Sequence, residues 1–242
     1  MVSQAKWAMG TLLKRAGTAV AELNNVGGVK LKADTIEVTS HDSVGSYKEF
    51  VQGMKDAGEV QIEGNFIPGD TNGQIQMLTD FGAGTTSAYT IDFPAAMAAQ
   101  WSFNAVITGW ETLDAKTTDK AGFRATLKIT GQPTLNITLS AGLTTPFFTM
   151  STGTIIPTAS GSVYYYVVEV VTGTTGVTVT PTATAGVITV TKVSDMTSQV
   201  VASGNPSSTI TLGVAGSVTT LWVDVKETNK VGKRYIIDVA RA

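Results

Sequence analysis

Along its C-terminal half the chain alternates apolar and polar residues in short runs. These are Ser162–Thr172, Val177–Thr182, Gly186–Val193, Gln199–Ala202, Ser208–Gly213, Ser217–Glu227 and Arg234–Ala240. The separators, such as Gly173-Thr174-Thr175-Gly176 and Ser203-Gly204-Asn205-Pro206, carry the residues that turns demand. About seven short strands at this spacing in roughly a hundred residues predict a β-sandwich of immunoglobulin-like type. In Leu221–Lys226 a period of two puts Leu221, Val223 and Val225 on one face and Trp222, Asp224 and Lys226 on the other, a strand with one buried side.

The N-terminal half is mixed. Tyr89–Phe93, Trp101–Leu113 and Gly122–Thr130 read as strands. In Trp101–Leu113, alternation places Trp101, Phe103, Ala105, Ile107, Gly109 and Glu111 together, as the wall of a curved sheet or barrel requires. Asp70–Phe81 predicts a helix packed on that sheet. Asp70 or Thr71 is its N-cap, Ile75, Leu78 and Thr79 fall at helical spacing, and Phe81 and Gly82 lie near its end. Ala95–Ala99 predicts a further short turn.

Two strand-like runs, Val29–Ser40 and Gly58–Pro68, are separated by a polar insert, His41–Ala57. It has about seventeen residues where a hairpin needs two to five. A loop of that length between paired strands is expected to reach a partner. Tyr47, Phe50, Val51 and Met54 recur within it at helical spacings, among Lys48, Glu49, Lys55 and Asp56. This predicts a mobile or weakly helical segment with one apolar side, or a small helix folded back onto its own domain.

Composition adds a seam. Residues 1–133 hold 11 Lys/Arg and 14 Asp/Glu, a net of −3, whereas residues 134–242 hold 6 and 5, a net of +1. The only histidine, His41, and three of the four tryptophans lie before the seam. Two domains, 1–133 and 134–242, are expected. The whole chain carries −2, which supplies no basic footprint for tight nucleic-acid binding. Without cysteine there is no disulfide, no thiolate catalysis and no Cys-ligated zinc. No apolar run reaches the length of a membrane span, and the N-terminus lacks the apolar core of a secretory leader, so a soluble, unprocessed chain is expected.

Candidate chemistry is sparse. Any Ser-His-Asp arrangement rests on His41, which lies in Ser40-His41-Asp42-Ser43 and reads as a solvated loop residue beside a turn-forming Asp. No two carboxylates are favoured as a glycosidase pair. Asn25-Val26-Gly27-Gly28 and Phe81-Gly82-Ala83-Gly84-Thr85 match no phosphate-binding fingerprint and read as a turn and a helix stop. Asp70-Thr71-Asn72-Gly73 lacks the later acid of a calcium loop. In Tyr164-Tyr165-Tyr166, Tyr164 and Tyr166 share a face, and core plus surface accounts for the run more simply than a stacking site. No catalytic residue, metal or cofactor is expected.

Several segments in the N-terminal part carry a family resemblance. Gly10-Thr11-Leu12-Leu13-Lys14 and Thr18–Leu23 precede a Val-Gly-Gly-Val entry into Leu31–Thr39. Thr39-Ser40-His41-Asp42, Tyr47-Lys48-Glu49-Phe50-Val51-Gln52-Gly53 and Lys55-Asp56-Ala57-Gly58-Glu59-Val60 follow, then Gly69-Asp70 and Tyr89–Pro94. Over roughly residues 10–133 the chain resembles the tail tube (major tail) proteins of long-tailed, non-contractile bacteriophages. The second domain looks like the immunoglobulin-like decorations of some of them.

The resemblance implies a mostly β fold: a tail-tube β-sandwich or barrel with one packed helix, then an immunoglobulin-like β-sandwich. It further implies a structural virion protein rather than an enzyme. Such proteins assemble in the host cytoplasm as hexameric rings that stack into a hollow tube, together with other tail proteins, and DNA passes through without specific binding. An N-terminal arm, 1–28, would bind neighbouring subunits, and the loop 41–57 would contact the next ring through Tyr47, Phe50, Val51 and Met54. Glu37, Glu59, Glu63, Asp92, Glu111 and Asp114 are the candidate lumen-facing residues, and the second domain would project outward. Net charge of −3 per tube domain amounts to about −18 for six copies, a sign that repels DNA phosphates. Two rivals stay open: the tube protein of a contractile tail or related injection system, and a surface adhesin or carbohydrate-binding β protein.

Overall fold

The computed structural model describes residues 5–113 and 120–242. The chain divides into two compact units, one formed by residues up to Pro94 with Ala99–Asn136, the other by Ala95–Ala98 with Ile137–Ala242. The division falls a few residues after the compositional seam. Ala95–Ala98, a short 3-10 turn in its first three residues, belongs with the second unit, where Thr138 N donates to Ala98 O at 2.8 Å.

The first unit contains β1 (Leu12–Arg15), β2 (Thr18–Ala19), β3 (Leu23–Val26), β4 (Lys32–Glu37), β5 (Phe50–Asp56), β6 (Glu59–Asn65), α1 (Gln74–Ala83), β7 (Ser87–Asp92), β8 (Ala99–Thr112) and β9 (Gly122–Ile137). Seven strands form one curled sheet in the order β2-β1-β7-β8-β9-β6-β3, and β4 and β5 form a separate hairpin. The sheet's inner face supplies the core: Leu13, Val60, Ile62, Tyr89, Phe103, Phe123 and Leu127, with Met77 of α1 packed on it. At Gly64 the backbones of β3 and β6 approach so closely that a Cβ would lie 2.5 Å from Glu22 O.

The helix starts a turn later than its sequence signature and ends at Gly84, whose φ of +64° is the left-handed stop that glycine permits. Asp70 still caps it: its carboxylate accepts the Gly73 and Gln74 amides at 3.1 and 3.0 Å. The buried face is Gln74, Met77 and Asp80, not one built on Ile75 and Leu78. These two polar side chains tolerate burial because they are satisfied. Gln74 Nε2 donates to Ala21 O and Asn65 O, each at 2.9 Å, and its Oε1 accepts the Ile67 amide. Arg15 grips Asp80 through Nε and Nη2 at 2.6 and 2.8 Å.

Three sequence expectations are corrected. Much of the expected arm, 1–28, is sheet: Leu12–Val26 holds β1 to β3, with Leu13 fully buried, and among the described residues 5–11 precede it. The runs at 29–40 and 58–68 do not pair with each other: β4 pairs with β5, and β6 lies between β3 and β9. The insert 41–57 is therefore not all loop, because its second half is β5.

The second unit contains β10 (Phe148–Met150), β11 (Thr154–Ile156), β12 (Tyr165–Val170), β13 (Gly176–Val177), β14 (Val179–Pro181), β15 (Val187–Lys192), β16 (Thr197–Val201), β17 (Ile210–Thr211), β18 (Val218–Lys226) and β19 (Lys233–Arg241). A six-stranded sheet, β11-β12-β19-β18-β15-β16, faces the short ladders β10-β14 and β13-β17 across a common core. All its pairs are antiparallel except β12 with β19. Leu221, Val223 and Val225 are fully buried, as their alternation predicts. Tyr166 is buried, while Tyr165 is exposed and donates to Asp238 at 2.7 Å; Tyr164, half exposed, stacks on Tyr235. Both units are mostly β, and α1 is the single α-helix among the described residues. No helix among them is long and apolar enough to cross a membrane.

Candidate assembly surfaces

The hairpin β4–β5 is built against the usual sorting of residues. Its side chains do not enter the first unit's core, yet it carries Ile36, Val38, Phe50, Val51 and Met54, all exposed, and its connecting loop adds Val44 and Tyr47. Apolar residues concentrated on one element, rather than scattered singly, are the pattern expected of an interaction surface.

The ladder shows how they are arranged. Thr35 pairs with Gln52 and Ala33 with Lys55, so one residue of β4 opposes two of β5, Gly53 and Met54: a β-bulge. Ala33 and Thr35 share a face, and so must Gln52 and Lys55. Val51 and Met54 therefore both point the other way, alongside Ile36 and Val38. The result is a continuous apolar stripe on one face, with Phe50 on the opposite face beside Glu37. The helical spacing of Val51 and Met54 is real, but a bulge produces it and not a helix. At the base of the hairpin Lys128 holds the Asp56 carboxylate at 2.8 Å. That contact, followed by the Gly58 amide, keeps the Asp56 pKa below the usual carboxylate range.

The sheet face turned away from the core is the second surface. β6 presents Glu59, Gln61 and Glu63 there, opposite Lys128, Thr126 and Arg124 of β9. Arg124 bridges Glu63 at 2.9 Å and Glu111 at 3.1 Å. Further along, Lys14 of β1 pairs with Asp92 of β7 at 2.6 Å. Burial raises the Asp92 pKa, but the hydrogen bonds from Lys14 and Gln100 outweigh it and leave the carboxyl below its ordinary value.

Four of the six carboxylates expected to face a lumen, Glu59, Glu63, Asp92 and Glu111, thus share this one face. Glu37 does not join them; it lies on the hairpin, bound to Lys48 at 2.9 Å. Asp114 lies outside the described residues. Glu111 reaches the polar face because alternation along β8 slips by one: Ile107 and Trp110, three apart, both pack on the core. Trp110 lies near Phe66 and Phe123 there. The expected grouping of Glu111 with Phe103 and Ile107 is corrected accordingly. His41 sits exposed in the hairpin loop.

The sequence model of a known family, described as "Lambda phage tail tube protein, TTP", matches residues 9–136, more than half of the chain. The chain belongs to the lambda phage tail tube protein family. Its role is that of a phage tail tube protein. Comparison with curated proteins returned no match.

Among solved structures, this tail tube protein is similar to a chain of the virion of a native gene transfer agent particle, at 19% identity and a TM-score of 0.47. That match covers 55% of this chain and 99% of the other. A second similarity, at 18% identity and a TM-score of 0.46 with the same coverage, is to the tail of an empty gene transfer agent particle, refined with C6 symmetry. A third is to a sheath/tube terminator structure of an extracellular contractile injection system, at 19% identity and a TM-score of 0.45, covering 56% and 99%.

Proposed function

We propose that this chain polymerises as hexameric rings, which stack into the hollow tail tube of a non-contractile phage and conduct DNA to the host. The observation that carries this reading is the β4–β5 hairpin, whose exposed apolar residues have no partner in the isolated subunit. In an assembled tube the hairpin crosses from one ring to the next, and Tyr47, Phe50, Val51 and Met54 bury their side chains there. Removing that much apolar surface from water is the main favourable term in association.

Within a ring, sheets of neighbouring subunits join edge to edge, which removes open strand edges. The polar face of the sheet lines the lumen. Its carboxylates Glu59, Glu63, Asp92 and Glu111 outnumber the cations Lys14, Arg124 and Lys128 that lie among them. A lumen with this excess repels phosphate while offering few free cations to hold it, so DNA slides through. The second unit, immunoglobulin-like in this reading, decorates the outside.

The test is the Phe50→Ala/Met54→Ala double variant, which strips an anchor from each face of the hairpin. The expected result is a folded monomer that grows short tubes or none by negative-stain microscopy. Tubes of normal length would contradict the role given to the hairpin.

A further inference from the structure

The curled sheet of the first unit leaves a cleft of about 510 Å3 beside its terminal strand β3. One wall is the segment Trp7–Thr11 that precedes β1. The other is Leu23–Gly28, and Ile91, Phe93 and Trp101 form the floor. In a unit this rich in charge, the cleft is lined by no charged residue at all. Trp7 and Met9 on its rim are 81% and 72% exposed, so the cleft is apolar and open. Its size lies in the range of clefts that bury an inserted group.

From these features we infer that the cleft is the receptor for the bulged face of the hairpin of a second copy, in the next ring. This rests on the proposed tube assembly and specifies where the hairpin docks. Three features favour that occupant. The stripe Val38, Ile36, Val51 and Met54 is uncharged, as the cleft is. The stripe is bounded by the carboxylates of Asp34 and Glu49, and the cleft's rim offers the exposed amides of Asn24 and Asn25 to receive them. In a single copy Ile36, Val51 and Met54 stay exposed, so the hairpin does not fill its own cleft. Each subunit carries both surfaces once, and a contact between two different patches repeats from copy to copy without closing on itself.

The native chain has no cysteine, so the pairing can be read from engineered thiols. A Met54→Cys/Asn25→Cys variant, assembled into tubes under reducing conditions and then oxidised, is expected to give a ladder of covalent multimers running past the hexamer. Each single variant should stop at uncrosslinked monomer. Tubes without crosslinks, a ladder that ends at six, or an intramolecular disulfide would each overturn the docking while leaving the tube reading intact. Failure of the native chain to form tubes would overturn both. If the thiols themselves block assembly, Met54→Glu should abolish tubes and Asn25→Lys in the same chain should restore them. Absence of that rescue overturns the docking.

Discussion

Arg15 and Asp80 lie 65 positions apart, yet they form the best-buried ion pair of the first unit, with side chains only 15% and 4% exposed. Asp80 anchors α1, and Arg15 anchors β1, with Ser87 donating to the same carboxylate at 3.0 Å. Burial raises the Asp80 pKa, but the hydrogen bonds from Arg15, Ser87 and Gln76 overcome it and hold the group below its ordinary value. A depressed folded pKa contributes stability that is present above the unfolded value, about 3.9, and lost as pH falls through the folded one. Arg15→Met leaves Asp80 buried without its cation. The expected cost is about 3–5 kcal/mol by denaturant titration, with the acid-unfolding midpoint moved to higher pH. A loss under about 1 kcal/mol would show the pair to be dispensable. None of this was legible in the sequence, because nothing local marks Arg15 as the partner of a helix residue. Asp70 was legible, since a cap acts on amides only a few positions away.

Elements are legible in the sequence to different degrees, for one physical reason. Where alternation is unbroken, as in β18, the sequence predicts the buried face directly. Where a strand slips, it misleads. Val51 and Met54 in β5, and Ile107 and Trp110 in β8, are three apart and share a face; a bulge in β5 and a slip in β8 thus imitate helical periodicity. In both places a glycine, Gly53 or Gly109, lies inside the slip, and that was the available signal. The long insert was legible as an excess, but its strand was not, because an exposed apolar hairpin has no core to impose a pattern. The hairpin returns to the sheet through Gly58, whose φ is +73° and where a Cβ would lie 2.5 Å from Lys30 O. Gly58→Ala should therefore destabilise the turn by about 1–3 kcal/mol and lower the thermal midpoint. An unchanged midpoint would mean that the turn relaxes at no cost.

At the scale of the whole molecule, two separate cores account for the two units, and the fall in charge density near residue 134 reflects their different surfaces. The first unit presents a polar sheet face, an apolar hairpin and an uncharged cleft. The second packs a six-stranded sheet against two short ladders. The assignment of surfaces needs the register of the sheet, which no single sequence reveals. The family assignment gives the chain its place in a tail tube, and the three surfaces of the first unit say how copies would meet. In the proposed tube the wall turns the Glu59, Glu63, Asp92 and Glu111 face inward. Helical reconstruction of the purified protein at high concentration is the decisive measurement. Hollow tubes of six-fold symmetry are expected, with that face on the lumen and the β4–β5 hairpin spanning the ring boundary. A persistent monomer, or a tube with that face turned outward, would contradict it.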